Sequence, residues 1–226
     1  MAVAFFGETS SREYTEVFLN VARNPTVAEK FQFYHLNDKE CASQNGASAT
    51  PGLVLFRRFD TPRVPFTGNW ETTPVIDFMV AQSVPTLIDF SEDYIEPIFG
   101  QRKAAVFLFR SKSDEGSDYV KVFTEASQQL RGQILFVVSG VTEGIQQRLG
   151  EFIGVEEKDL PTLRLLDPAD GMKKFNYQGS VQSLTVDNIR QFVDDFQNKR
   201  LQAFLKSEEI PAESNDPLKI IVGKNF

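Results

Sequence analysis

The chain has 226 residues, 41% of them hydrophobic and 24% charged, enough apolar material for one large core or two ordinary ones of roughly 100 residues each. A net charge of −7 with no basic stripe excludes a general nucleic-acid backbone binder, because that role needs clustered Lys and Arg to displace counterions. One Cys and one His exclude a Cys-x-x-Cys pair, a zinc set and an intramolecular disulfide, and no run reaches the roughly 20 apolar residues that span a bilayer.

The first apolar run, Val3-Ala4-Phe5-Phe6, reads as a strand and lacks the charged start and the length of a signal peptide. Gly7 ends it. Ser10-Ser11-Arg12-Glu13 has the form of a capping box, and Tyr14, Val17, Phe18 and Val21 follow at helical spacing as one buried stripe. His35 and Cys41 lie six apart, so a thiolate-base pair is open in principle, but no third orienting group follows and two structural residues explain them as well. The stretch 39–50 is polar. Thr50-Pro51-Gly52-Leu53-Val54-Leu55-Phe56 then reads as a turn and strand, a second short strand ends near Phe66, Gly68 breaks it, and Val75, Ile76, Phe78 and Met79 fill a closing helix.

About a hundred residues later the order returns. Val106-Phe107-Leu108-Phe109 is a strand, Ser111 to Gly116 a polar turn, and Tyr119, Val122, Phe123, Ala126 and Leu130 one helical face. Leu160-Pro161-Thr162-Leu163-Arg164-Leu165-Leu166 matches the earlier turn and strand. Met172 to Phe175, Gly179 and a helix through Ile189, Phe192, Val193 and Phe196 complete the copy. The Pro-to-Gly interval is 17 residues in one copy and 18 in the other, which argues for a duplicated module. Each copy reads strand, helix, strand, helix, hairpin, helix, an α/β arrangement with a mixed sheet flanked by helices. A cis bond costs only about 0.5–1 kcal/mol before proline, so Pro51 and Pro161 are the places where a sharp turn into the hairpin is cheapest; spacing alone leaves cis and trans open. The carboxylates, in short groups such as Glu156-Glu157, read as a solvated surface.

Several segments in order resemble the b-prime domain of protein disulfide isomerase: Val84-Pro85-Thr86-Leu87-Ile88-Asp89-Phe90, Ile98-Phe99-Gly100, Gln133 to Val137, Arg148-Leu149-Gly150-Glu151-Phe152-Ile153-Gly154 and Leu160-Pro161. Leu205 to Pro211 resembles that family's linker, and Ile220 to Phe226 the opening of its second catalytic domain. The resemblance implies two tandem thioredoxin-like domains. Their limits are 1–83 for a b domain that lacks its first strand and helix and 84–199 for b-prime, with 200–215 the linker and 216–226 the start of a catalytic domain. It also puts Pro51 and Pro161 at the fold's cis-proline position.

The positions that carry Cys-x-x-Cys in the catalytic members read Gly7-Glu8-Thr9-Ser10 and Arg110-Ser111-Lys112-Ser113 here. Without a thiolate there is no thiol-disulfide exchange, so neither catalytic residues nor a cofactor or metal is expected. What the resemblance implies instead is a hydrophobic cleft for unfolded or partly folded polypeptide, formed by Phe90, Phe99, Val137, Leu149 and Phe152, with Ile210 of the linker folding over it as a lid. Phe90 and Val137 end apolar runs and are equally readable as core. The other implied partners are flanking catalytic domains in the endoplasmic reticulum lumen; nucleic acid and membrane are not expected. A calsequestrin-like calcium binder is the alternative, although it needs denser acidic clusters, and a glutathione transferase would carry a helical second half.

Overall fold

The computed structural model describes residues 1–7, 12–47 and 49–204; Ser10 of the capping box and the linker residue Ile210 lie outside them. The chain divides into two compact units, Met1–Thr86 and Leu87–Phe226.

In the first unit, strand β1 (Ala2–Phe5) is buried along its whole length. It pairs in parallel with β2 (Phe33–Leu36) and antiparallel with β3 (Gly52–Phe56), which in turn pairs with β4 (Arg63–Pro65), giving the order β2-β1-β3-β4. Successive side chains alternate between faces. Ala2, Ala4, Phe6, Leu53 and Leu55 form one core with Phe18 and Val21 of helix α1 (Arg12–Arg23) and Val75 and Met79 of the closing helix Thr72–Ala81. On the other face Val3, Phe5 and Val54 pack with Ala42 and Ala47. The polar stretch around Cys41 contributes a short helix, Lys39–Gln44, because the Asp38 side chain accepts the Cys41 N–H at 2.9 Å and caps it. The turn Pro25–Ala28 is helical too, so the helices are α1, α2 (Pro25–Ala28), α3 (Lys39–Gln44) and α4 (Thr72–Ala81).

The β3–β4 loop holds the end of the unit. Asp60 Oδ2 accepts from both the backbone N–H and the hydroxyl of Thr86, each at 2.8 Å, and Arg57 donates to Gln82 at 2.7 Å. Residues 84–86 are therefore tied to the first unit, and the structural boundary falls after Thr86 rather than after Ser83. Asp60 has φ +50°, a left-handed conformation that Gly tolerates without strain, so Asp60→Gly removes the carboxylate alone. Amide exchange at Thr86 should accelerate on the order of tenfold in that variant, the worth of a hydrogen bond to a charged group at a partly exposed site; an unchanged rate would show that the clamp contributes nothing.

The second unit has five strands in the order β5-β7-β6-β8-β9: β5 (Ile88–Asp89), β6 (Ala105–Phe109), β7 (Leu135–Ser139), β8 (Thr162–Asp167) and β9 (Lys173–Asn176). β5, β7 and β6 run parallel, while β8 and β9 join antiparallel. Val106, Leu108, Phe136 and Val138 face Phe123 and Ala126 of α5 (Asp118–Gln129) and Ile189 and Phe192 of α7 (Val186–Gln197). By alternation Phe107, Phe109 and Val137 turn to the opposite face. All three are closed to solvent, as are Ile98 and, on α6 (Gly144–Ile153), Ile153. The peptide bonds Thr50–Pro51 and Leu160–Pro161 are cis, each immediately before the hairpin of its unit.

Candidate functional site

Helix α6 is shaped by two glycines. At Gly150 an added Cβ would lie 3.0 Å from Val141 Cγ1 and from the Val155 carbonyl oxygen, so a larger residue would press on both. At Gly154 the chain turns left-handed (φ 86°, ψ 44°) and closes the helix through Gly154 N–H to the Gly150 carbonyl at 2.7 Å. That termination leaves Phe152 on the surface, 43% exposed. Its ring meets half-buried Phe99 edge-on at 6.2 Å. Phe99 sits in a helical turn, Glu96–Gly100, whose Ile98 anchors it in the core. Ile95, four residues earlier, is also exposed.

Two further groups complete the patch. The Lys174 ammonium lies 4.4 Å from the Phe152 ring centroid and donates to the Phe152 carbonyl oxygen, a cation–π contact worth about 0.5–1 kcal/mol at an exposed site. Phe204 donates its backbone N–H to the Lys174 carbonyl at 2.6 Å, and its ring comes within 3.9 Å of where a Gly154 Cβ would be. The final helix does not continue through Phe204, because Lys199 takes φ +56° and turns the chain back along β9. Leu201 packs onto the core on the way.

Not every residue that the resemblance assigns to the cleft is at a surface. Val137 is fully buried, because β7 lies between β5 and β6 and both its faces are covered. Leu149 is 4% exposed on the inward stripe of α6. Both are closed to a ligand in this conformation. Phe90, also 4% exposed, lines a different cavity, a cleft of about 870 Å³ at the carboxyl ends of β5, β7 and β6.

That cleft occupies the place where the Cys-x-x-Cys loop would be. Arg110, Ser111, Lys112 and Ser113 line it together with Leu160, the residue before the cis proline. In the first unit Gly7 adjoins the equivalent turn, since a Cβ there would lie 3.0 Å from Thr50 Oγ1. Loop and proline turn thus meet in both units without sulfur at the described positions. Cys41 is elsewhere, half-buried with its Sγ 3.5 Å from the Asn45 amide nitrogen, while exposed His35 lies against the Phe6 ring at 6.2 Å.

A family profile described as a thioredoxin-like domain matches residues 8–195. The chain belongs to the thioredoxin-like domain family. Within that family it is homologous to protein disulfide-isomerases. It is 32% identical over 180 residues to the protein disulfide-isomerase of Gallus gallus, covering 77% of this chain and 34% of that one. Against the Drosophila melanogaster protein disulfide-isomerase it is 28% identical over 227 residues, covering 99% of this chain and 44% of that one. The chain therefore spans between a third and a half of the length of these relatives. Two solved structures share the fold: the zinc-bound form of human ERp44 (TM-score 0.60, 14% identity, 88% of this chain and 55% of that one) and the bb fragment of ERp72 (TM-score 0.54, 16% identity, 89% and 90%). A thioredoxin-like chain of this kind, with one cysteine, is consistent with a non-catalytic b-type region of a disulfide isomerase.

Proposed function

We propose that this chain is the polypeptide-binding region of a protein disulfide isomerase, holding unfolded or partly folded clients while flanking catalytic domains exchange their disulfides in the endoplasmic reticulum lumen. The observation that carries the reading is the pair Phe99 and Phe152, an aromatic surface at the end of α6 with Ile95 exposed nearby. Unfolded chains present mixed apolar side chains, and an aromatic surface with few fixed polar partners binds these weakly and promiscuously. Val137 and Leu149 are buried and Phe90 lines the other cleft, so none of these three meets a client at the patch in this conformation. The linker residue Ile210, which the resemblance assigns as a lid, lies outside the described residues; one isoleucine contributes at most about 1.5–3 kcal/mol on burial, a magnitude that a client could displace.

Two measurements test this. Isotopically labelled protein titrated with a reduced, permanently unfolded polypeptide should show amide shifts concentrated at Phe99, Phe152 and Gly154; shifts confined to residues 1–86 would overturn the assignment. Insulin reduction should run at the rate without protein, because a lone thiol cannot cycle between dithiol and disulfide. Reduction above that rate which persists in Cys41→Ser would contradict the non-catalytic reading.

A further inference from the structure

The two sheets differ at one edge. The second unit runs β5-β7-β6-β8-β9 and the first runs β2-β1-β3-β4. The cis prolines set the correspondence: Phe5 lies opposite Gly52, just after Pro51, as Phe109 lies opposite Thr162, just after Pro161. β1 therefore matches β6 and β2 matches β7, with Tyr34 in the place of Val137 and Leu36 in that of Ser139. In the second unit β5 flanks β7, with Ile88 opposite Val137. Among the described residues nothing flanks β2 on that side. The consequence is exposure: Val137 and Ser139 are buried, whereas Tyr34 is 49% and Leu36 44% exposed.

The backbone of this edge is directed outward. Ala2 and Phe6 donate their N–H groups to the carbonyls of Gln32 and Leu36, each at 2.8 Å. Successive residues of a strand aim their backbone groups alternately at its two sides, so those of Phe33 and His35 face away from β1. Such a row of donors and acceptors is a template for a further strand. The opposite edge of the sheet is guarded, because β4 carries Arg63 and ends on Pro65, which has no N–H to donate. β2 reads Phe33-Tyr34-His35-Leu36 and has neither device.

A copy of β2 related by a twofold axis pairs antiparallel. Because Phe33 and His35 hold the outward groups, the pairing can centre on Phe33, Tyr34 or His35, and charge separates these registers. Centring on Tyr34 sets Phe33 opposite His35, so that each exchanges N–H and carbonyl with the other. It also directs Lys30 toward Asp38 and Glu29 toward Lys39 of the copy, at both ends of the pair. Centring on Phe33 sets Lys30 against Leu36 and Glu29 against Asn37, and centring on His35 matches only Lys30 with Glu40. In the Tyr34 register the exposed tyrosines lie side by side on one face, and each Leu36 lies diagonal to the Tyr34 of the copy. Residues 34–40 are exposed throughout, so no side chain has to be cleared from the contact.

We propose that the open edge of β2 is an interface with a second copy of this chain, a twofold antiparallel pairing centred on Tyr34 that joins the two first-unit sheets into one. It is separate from the aromatic patch and does not depend on polypeptide binding. The contact is small, four residues of strand a side against the roughly 20–30 of a stable interface, so the dimer is weak, with a Kd on the order of 100 μM. A strand ahead of Ala2, which the resemblance implies for a longer chain, would compete for the same edge; the pairing described is that of the 226-residue chain.

The test is sedimentation equilibrium between about 5 and 500 μM, together with amide exchange at Phe33 and His35. Wild type should pass from mostly monomer to mostly dimer over this range, and exchange at both amides should slow about fourfold at its upper end. Tyr34→Lys, at an exposed position where two ammonium groups would meet across the axis, should stay monomeric with an unchanged circular dichroism spectrum. Glu29→Lys should weaken the dimer about threefold, and adding Lys39→Glu should restore it, because the facing charges are again opposite. Monomer at every concentration overturns the proposal, as does a dimer that survives Tyr34→Lys or a charge exchange that restores nothing. Protection of Phe33 and His35 already complete at the lowest concentration would mean that the chain covers its own edge. Protection that appears only when reduced, unfolded polypeptide is added would give the edge to a client. Either result also overturns pairing with a second copy.

Discussion

Phe107→Ala should cost the second unit about 3–5 kcal/mol, the range for deleting a fully buried phenylalanine, and leave the first unit folded. Phe107 is closed to solvent on the central strand β6, opposite Val137 on β7 and Arg164 on β8, and it stacks on Phe109 at 6.0 Å. A close-packed sheet face cannot collapse onto the space left behind, because the strands on both sides are fixed by their own ladders. The effect can be read unit by unit. The single tryptophan, Trp70, belongs to the first unit, where its indole N–H donates to the Tyr14 carbonyl at 3.1 Å and its ring meets Phe6 at 6.1 Å. In a urea titration, tryptophan fluorescence should keep its wild-type midpoint while circular dichroism shows an earlier transition for the second unit. A shared shift of both signals would mean that the units unfold as one.

Phe99→Ser combined with Phe152→Ser should weaken binding of an apolar-rich unfolded polypeptide about ten- to thirtyfold and lower the second unit's stability by about 1–3 kcal/mol, for the buried half of each ring. Full burial of a phenylalanine is worth about 1.5–3 kcal/mol. Phe152 is 43% exposed and Phe99 half-buried, so roughly 1 kcal/mol per ring remains for a ligand to gain, and two such terms give this range. Losing the Lys174 contact with the Phe152 ring subtracts only a surface cation–π interaction. Phe152→Leu, which keeps an apolar surface, should retain most of the affinity, a result that separates hydrophobic contact from ring-specific recognition.

Much of the fold was legible because burial imposes a period. Tyr119, Phe123 and Ala126 recur at helical spacing and pack on the sheet as one stripe, and the run Val106 to Phe109 is apolar throughout because β6 is covered on both faces. The same fact hid the site. In a doubly buried parallel strand a core valine and a cleft valine look alike, so the sequence could not place Val137, and Leu149 follows the same helical stripe as any core leucine. Phe152 and Lys174 are 22 residues apart, and their contact exists only because β9 passes α6. The charges around the cleft at the strand ends read as scattered solvated charge for a related reason: Asp89, Arg110, Glu143 and Glu157 share a cavity only through the strand order β5-β7-β6-β8. Linker residue Ile210 lies outside the described residues, whereas Phe204 already reaches Gly154.

The most direct test of the central claim is the equilibrium affinity of the whole 226-residue chain for a reduced, permanently unfolded polypeptide, measured for wild type and for Phe99→Ser with Phe152→Ser under identical conditions. Measurable binding by the wild type and a ten- to thirtyfold loss in a variant that is still fully folded under the assay conditions is the result predicted here. Equal affinity in the two proteins, or no binding by a folded wild type, would contradict the assignment of a polypeptide-binding surface to the end of α6.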